Sequence, residues 1–231
     1  MRKLLSVGVV LLAFVCAVSA ANAAVYNLAN DWSDIVNPMG VWSLYKNTTS
    51  LFTINQSDYL NNGNGQNAWA DQVFQLNAHV PVWYKSDIDG VVYMHGAEYD
   101  RTGSNVTFVR WTSPEDGIVT ISGAVWTTDF YNRTMGWNLR YDGANIAGGT
   151  LYSNGNQGAA NAVLFSQGSG GAGVLTFAIE QGQTIDLVFT SISESGNLGD
   201  MLGLDLTITV IPEPATIALL GFGILSLRRR K

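Results

Sequence analysis

The chain has 231 residues, 47% hydrophobic, 11% aromatic and only 13% charged, with a formal net charge of −6. Seven Trp and nine Tyr beside so little charge exclude a disordered chain or a long coiled coil, both of which are charge-rich and aromatic-poor. The length admits one large domain or two small ones.

The amino terminus has the three parts of a secretory signal. Met1-Arg2-Lys3 is cationic, Leu4 to Val18 is almost wholly apolar, and Ala21-Asn22-Ala23 is a small-x-small cleavage site, with Val18-Ser19-Ala20 as a second. The apolar run is short for a membrane span, so the expectation is export through a translocon and cleavage by signal peptidase near Ala23. The alternative is an uncleaved anchor. The single cysteine, Cys16, lies inside this run behind Phe14-Val15, which are too large for a lipidation site, so the mature chain has no cysteine and no disulfide.

Residues 24 to 210 read as one all-β domain, large enough to bury about 70% of its unfolded surface around one core. Asn61 to Asn67 is a polar loop. Val106-Thr107-Phe108-Val109-Arg110-Trp111 runs into Ser113-Pro114-Glu115-Asp116-Gly117 and resumes with Val119, Ile121 and Val125 on one face, the pattern of a hairpin turned by Pro114 and Gly117. Trp137 to Tyr141 meets Asp142-Gly143, a tight-turn pair. Residues 143 to 173 contain nine glycines and read as long loops around one short strand, Ala162 to Phe165. Leu175, Phe177 and Ile179 share a face, Glu180-Gln181-Gly182-Gln183 turns, and Ile185, Leu187 and Phe189 resume the period. Leu202, Leu204, Leu206 and Ile208 mark a last strand. No stretch of the core has a sustained helical period. Short strands between turn residues indicate a single β-sandwich, jelly-roll-like, lying between the signal and a short C-terminal hydrophobic helix.

Chemistry is sparse. There is no Gly-x-Ser-x-Gly elbow, no His-Glu-x-x-His, no phosphate-cradling loop and no dinucleotide fingerprint. The histidines are His79 and His95, too few for a metal site without a carboxylate. Glu98, Glu115, Glu180 and Glu194 are the glutamates open to a glycosidase pair, yet Glu115 and Glu180 fall in turns. Catalytic residues are therefore expected to be none, and so are cofactors; calcium on Asp31, Asp34, Asp200 and Asp205 is the alternative. Trp126 to Asn138 mixes aromatic and polar groups on a loop, so Trp126, Tyr131 and Trp137 could stack on a sugar, with Asp129, Asn132 and Arg133 taking its hydroxyls.

The carboxy terminus is the most specific region. Val210-Ile211-Pro212-Glu213-Pro214 precedes an apolar run from Ala215 to Leu227 and then Arg228-Arg229-Arg230-Lys231. Two prolines keep the tripeptide extended. A helix over 215–227 would cover about 20 Å, short of the ~30 Å hydrocarbon core, with Arg228, Arg229 and Arg230 as a cytoplasmic stop. Losing both ends takes Arg2, Lys3 and the four terminal cations from the 12 basic residues, and only Glu213 from the 18 acidic ones. Six basic and 17 acidic residues remain, a net −11 that offers no phosphate-neutralising patch and argues against nucleic acid.

Pro212-Glu213-Pro214, the short apolar run and the basic end together resemble the PEP-CTERM sorting signal of Gram-negative bacteria, over residues 211–231. The resemblance implies transient inner-membrane association and recognition by an exosortase, a membrane transpeptidase with a cysteine nucleophile. That enzyme would cut near Pro212-Glu213-Pro214 and pass the chain to the cell surface or exopolysaccharide matrix. Asp34 to Ser43, His95, Val109 to Pro114 and Gly117 also resemble a recurring PEP-CTERM ectodomain, which implies a jelly-roll-like module without an established catalytic role. The same fragments read equally as folding signatures, with Trp42 and Trp111 as core anchors and Pro38-Met39-Gly40 as a turn. The expectation is a non-catalytic surface or biofilm-matrix protein that binds carbohydrate; a secreted polysaccharide-modifying enzyme and a self-associating matrix component are the alternatives.

Overall fold

The computed structural model describes residues 22–57, 65–70, 81–98, 104–128, 133–192 and 200–213. They form fourteen strands: β1 (Ala24–Asn27), β2 (Trp42–Tyr45), β3 (Ile54–Gln56), β4 (Ala68–Ala70), β5 (Val82–Lys85), β6 (Val92–His95), β7 (Val106–Thr112), β8 (Gly117–Thr127), β9 (Thr134–Tyr141), β10 (Ala144–Tyr152), β11 (Val163–Leu164), β12 (Thr176–Ile179), β13 (Thr184–Ser191) and β14 (Met201–Pro212). Three short 3-10 turns, at Ala159–Asn161, Phe165–Gln167 and Ala172–Leu175, are the helical elements among the described residues. One sheet runs β11-β8-β14-β6-β5-β4-β3, with β12 also on β8 and β1 also on β14; the other runs β10-β9-β13-β7-β2. The pairings are antiparallel. The all-β sandwich expected from the sequence is the fold observed.

Alternation along each strand builds the core. Leu202, Leu204, Leu206, Ile208 and Val210 of β14 point inward and are at most 2% exposed, while Asp205 points out. Facing them from the five-stranded sheet are Trp42, Val109, Trp111, Trp137, Leu139, Leu187 and Phe189, all in the same buried cluster. Trp42 and Trp111 are direct cross-strand partners with no exposed surface, as the anchor reading expects. The turn before them closes on paired Met39 and Trp42 backbones, with Gly40 at φ 63°. Burying a side chain of this size contributes roughly 2–3 kcal/mol.

Two expectations change. The segment from Val106 to Val125 is not a hairpin, because β7 pairs with β13 and β2 whereas β8 pairs with β14, β11 and β12. The turn at 113–116 carries the chain from one sheet to the other. An arch of this kind shows the same apolar alternation as a hairpin, since in both cases each strand has one face on the core. The chain crosses sheets again between β8 and β9, β10 and β11, β12 and β13, and β13 and β14. Asp142-Gly143, at φ 47° and 83°, does form a true hairpin between β9 and β10.

The second change concerns residues 143–173, where β10 takes nine residues that the glycine content assigned to loops. A Cβ at Gly149 would lie 2.9 Å from Trp137 Nε1, and one at Gly148 would lie 2.8 Å from Trp137 O. These glycines are strand residues: Gly149 leaves room for the Trp137 indole, and Gly148 for the Asn138 side chain and the Trp137 carbonyl. The short strand is also trimmed, to Val163–Leu164, followed by the 3-10 turn at Phe165.

Candidate functional site

The strand ends sort into two poles. One holds the start of β1, the end of β14, the 113–116 arch, the Asp142-Gly143 hairpin and the 180–183 turn. Registers fix this: Ala24 pairs with Val210, Pro212 with Gly117, Ile179 with Gly117 and Thr184 with Thr112. β14 therefore runs two residues past 210, so that Pro212 of the Pro-Glu-Pro tripeptide is itself the last residue of a strand. Glycine is required opposite it, because a Cβ on Gly117 would lie 2.9 Å from Val210 Cγ1 and press on the Ile211 carbonyl.

Glu213 lines a cleft of about 350 Å³ with Asp116, Tyr141, Ala178, Ile179, Glu180 and Gln183. Its walls are tied together: Tyr141 donates its hydroxyl to Gln183 Oε1 at 2.6 Å, the Glu180 amide donates to the same oxygen at 2.7 Å, and the Gln181 amide donates to Asp116 Oδ1 at 2.7 Å. The lining has three carboxylates and no cation. On β1, burial and then the charges of Glu115 and Asp31 raise the Tyr26 phenol above its ordinary value, and its ring tilts against Trp111 at 5.5 Å. On the outer face of the larger sheet at this pole, Val25, Ile118 and Ile211 are 62%, 40% and 49% exposed.

The sugar-platform residues fall apart. Trp137 has no exposed surface: it packs against Phe165 at 5.6 Å, and a Cβ on Gly168 would lie 2.6 Å from its Cη2. Trp126 is 6% exposed, its indole lying over Gly203 of β14. Both stand on strands rather than on a loop, and neither offers a ring face to a sugar in this conformation. Asp129, Tyr131 and Asn132 lie outside the described residues, as do His79, Glu194, Ala21, Pro214, the apolar run 215–227, Arg228, Arg229 and Arg230. Ala23 is exposed, one residue before β1.

The acids proposed for calcium have other tasks. Asp31 Oδ2 accepts from Trp42 Nε1 at 3.0 Å, Asp34 Oδ1 from Trp32 Nε1 at 2.8 Å, and Asp205 Oδ1 from Asn27 Nδ2 at 3.3 Å. Asp200 is buried at the other pole, where its Oδ1 accepts from the Met201 amide at 3.0 Å. Among the described residues no three His, Cys, Asp or Glu side chains converge, so these four do not fit a calcium site as a set. His95 is 4% exposed, with Nδ1 2.9 Å from the Gly96 carbonyl that accepts from it. Arg110 is held by Asp186 through two bonds, at 2.7 and 2.9 Å, and lies over the Tyr45 and Phe108 rings at 5.2 and 5.6 Å. The bonds to Asp186 raise the Arg110 pKa further.

One exposed aromatic was missed in the sequence. Tyr152, at the far end of β10, is 57% exposed, with its amide bonded to Asn156 Oδ1 at 3.0 Å. Next to it the Arg133 amide donates to Ser153 Oγ at 2.9 Å and Gln157 Nε2 to the Thr128 carbonyl at 3.3 Å. Its signal was present, a tyrosine ahead of Ser-Asn-Gly-Asn-Gln, but the segment read as glycine-rich loop.

Comparison with known proteins gives one family. The PEP-CTERM protein-sorting motif matches residues 210–231. No curated protein matches the chain. Among solved structures, the sandwich is similar to a family 35 carbohydrate binding module from Clostridium thermocellum, 11% identical over 81% of this chain and 98% of that one, with a TM-score of 0.32. It is also similar to a β-glucosidase from Paenibacillus barengoltzii, 14% identical over 51% of this chain and 10% of that one, with a TM-score of 0.26. A third likeness is to the catalytic domain of a GH87 α-1,3-glucanase in complex with nigerose, 11% identical over 75% of this chain and 29% of that one, TM-score 0.26. The chain thus spans a tenth and under a third of the two enzyme chains. Likeness at this level assigns neither ligand nor activity. The motif marks the chain as an exported, membrane-transiting protein that an exosortase processes.

Proposed function

We propose that this exosortase-sorted chain is a non-catalytic module of the cell surface or extracellular matrix, exported by an N-terminal signal and released from its tail near Pro212-Glu213-Pro214. The observation that carries the reading is the passage of β14 directly into the sorting motif, which makes the sandwich the cargo and the tail its address. The test is fractionation and intact mass in hosts with and without the exosortase. The enzyme-free host should hold the whole tail-bearing form in its membranes; the same mass and location in both hosts would overturn the reading.

We infer further that the pole opposite the tail meets extracellular polysaccharide, with Tyr152 as the stacking ring and the Asn154, Asn156 and Gln157 amides beside it. A pyranose lays its C–H face on such a ring while amides bind its hydroxyls. Tyr152→Ala should weaken binding in a titration against the host's own polysaccharide by about five- to tenfold, the worth of ~1–1.4 kcal/mol. An unchanged titration curve would remove Tyr152 from the reading. The melting temperature should hardly move, because the ring is mostly in solvent.

A further inference from the structure

The two ends that the sequence marks for processing are neighbours in the fold. Ala24 pairs with Val210. The strands are antiparallel, so the segment entering β1 and the segment leaving β14 lie side by side at one pole. From Pro212 to Ala215, where the apolar run begins, there are three Cα steps, at most about 11 Å. From Ala24 back to Val18, where the signal's apolar run ends, the chain spans at most about 22 Å. A sandwich closed up to Pro212 therefore stands within about 11 Å of the start of the apolar run that the membrane holds.

The surface there fits that position. Val25 pairs with Thr209 and Ile211 with Ile118, all on the outer face of the sheet, so the exposed Val25, Ile118 and Ile211 form one apolar patch around the exit of the tail. Residues diagonal across a ladder are about 7–8 Å apart, close enough for contiguity. Apolar side chains in this position find the acyl boundary of the bilayer, and the short tether leaves little room for anything else.

We propose that the folded sandwich, with β1 already paired to β14, rests on the bilayer by this pole before its tail is cut, so that its apolar patch docks on lipid and its distal loops point away. The proposal rests on the sorting reading above. It requires that the exosortase acts on a substrate whose first motif proline is already in a sheet.

Engineered cysteines test it, in the full chain carrying Cys16→Ser and expressed in a host without exosortase. The Leu28 amide donates to Leu206 O at 3.0 Å, so 28/206, 26/208 and 24/210 are the mutually bonded pairs and Val25/Thr209 is a narrow pair. Its Cα separation of about 4.5 Å suits a disulfide. Val25→Cys/Thr209→Cys should cross-link on oxidation in the membrane fraction, and Val25→Cys/Ile192→Cys should not. Single Ile118→Cys should react with a membrane-impermeant maleimide roughly tenfold more slowly in the membrane-held chain than in chain released by exosortase, the ratio given by about 1.4 kcal/mol of burial. Ile192→Cys, 45% exposed, should react equally in both. Absence of the 25/209 cross-link from membranes would overturn the proposal, and so would equal labelling of Ile118→Cys in the two forms. If the enzyme-free host fails to retain the tail-bearing chain, it is the sorting reading that falls.

Discussion

Trp137→Ala should cost the fold about 3–5 kcal/mol, the range for deleting a fully buried large aromatic side chain. The indole has no exposed surface and three sets of neighbours that cannot follow it inward. Phe165 is fixed in a 3-10 turn, and Gly149 and Gly168 have no side chains with which to refill the space. The cavity should stay open, which puts the loss toward the upper part of that range. For a domain of this size each kcal/mol lowers the melting temperature by roughly 2–4 °C, so a fall of about 6–20 °C is expected by calorimetry. The result also bears on function. Weakened polysaccharide binding in this variant would report a damaged sandwich, whereas the same loss in Tyr152→Ala at unchanged stability would report a lost contact. A melting temperature within 2–3 °C of the parent would mean that Trp137 is not in the core, and would restore it as a ligand-facing residue.

How much of this was legible from the residues depends on which physical signal each element sends. β14 was read correctly because Leu202, Leu204, Leu206 and Ile208 alternate against polar partners over a long run. The sheet to which a strand belongs leaves no such trace. Val119 and Ile121 would face the core whether β8 turned back on β7 or crossed to β14, so the arch at 113–116 was invisible and only the turn itself could be found. Glycine misled in the opposite direction. Gly148 and Gly149 carry no alternation and suggest loop, yet they are strand residues: the Trp137 indole takes the space beside Gly149, and the Asn138 side chain and Trp137 carbonyl take that beside Gly148.

The same physics explains the misplaced platform. Trp126 and Trp137 have the chemistry of a platform, but Trp137 is a core side chain and Trp126 is covered on the outer face over Gly203, and the burial of each depends on neighbours far away in sequence. The sorting signal, by contrast, is a run of consecutive residues, and its prolines, apolar run and cations are fully visible in one dimension. Only its junction with the fold needed coordinates. Pro212 was assigned to the tail, and the register with Gly117 shows that it also completes a strand.

That junction depends on the β8–β14 ladder, and Gly123→Ala should break it. Gly123 stands opposite Leu206 at φ 130°, a conformation that L side chains rarely adopt and that costs on the order of 1–3 kcal/mol. A Cβ there would also collide with the Asp205 carbonyl oxygen and lie 3.0 Å from Phe165 Cε2. The obstacle is backbone of the paired strand, so it yields only if β8 and β14 separate locally. Gly143→Ala isolates the two effects, because Gly143 at φ 83° has nothing within 4 Å of its Cβ position and pays conformational strain alone. We expect about 1 kcal/mol at Gly143 and at least about 3 kcal/mol at Gly123, measured by denaturant unfolding of the two variants. Equal losses would mean that the ladder tolerates a side chain at this point. The larger loss at Gly123 would place the strength of the fold in the strand that leads into the sorting motif, and the 25/209 cross-link should then weaken in Gly123→Ala and persist in Gly143→Ala.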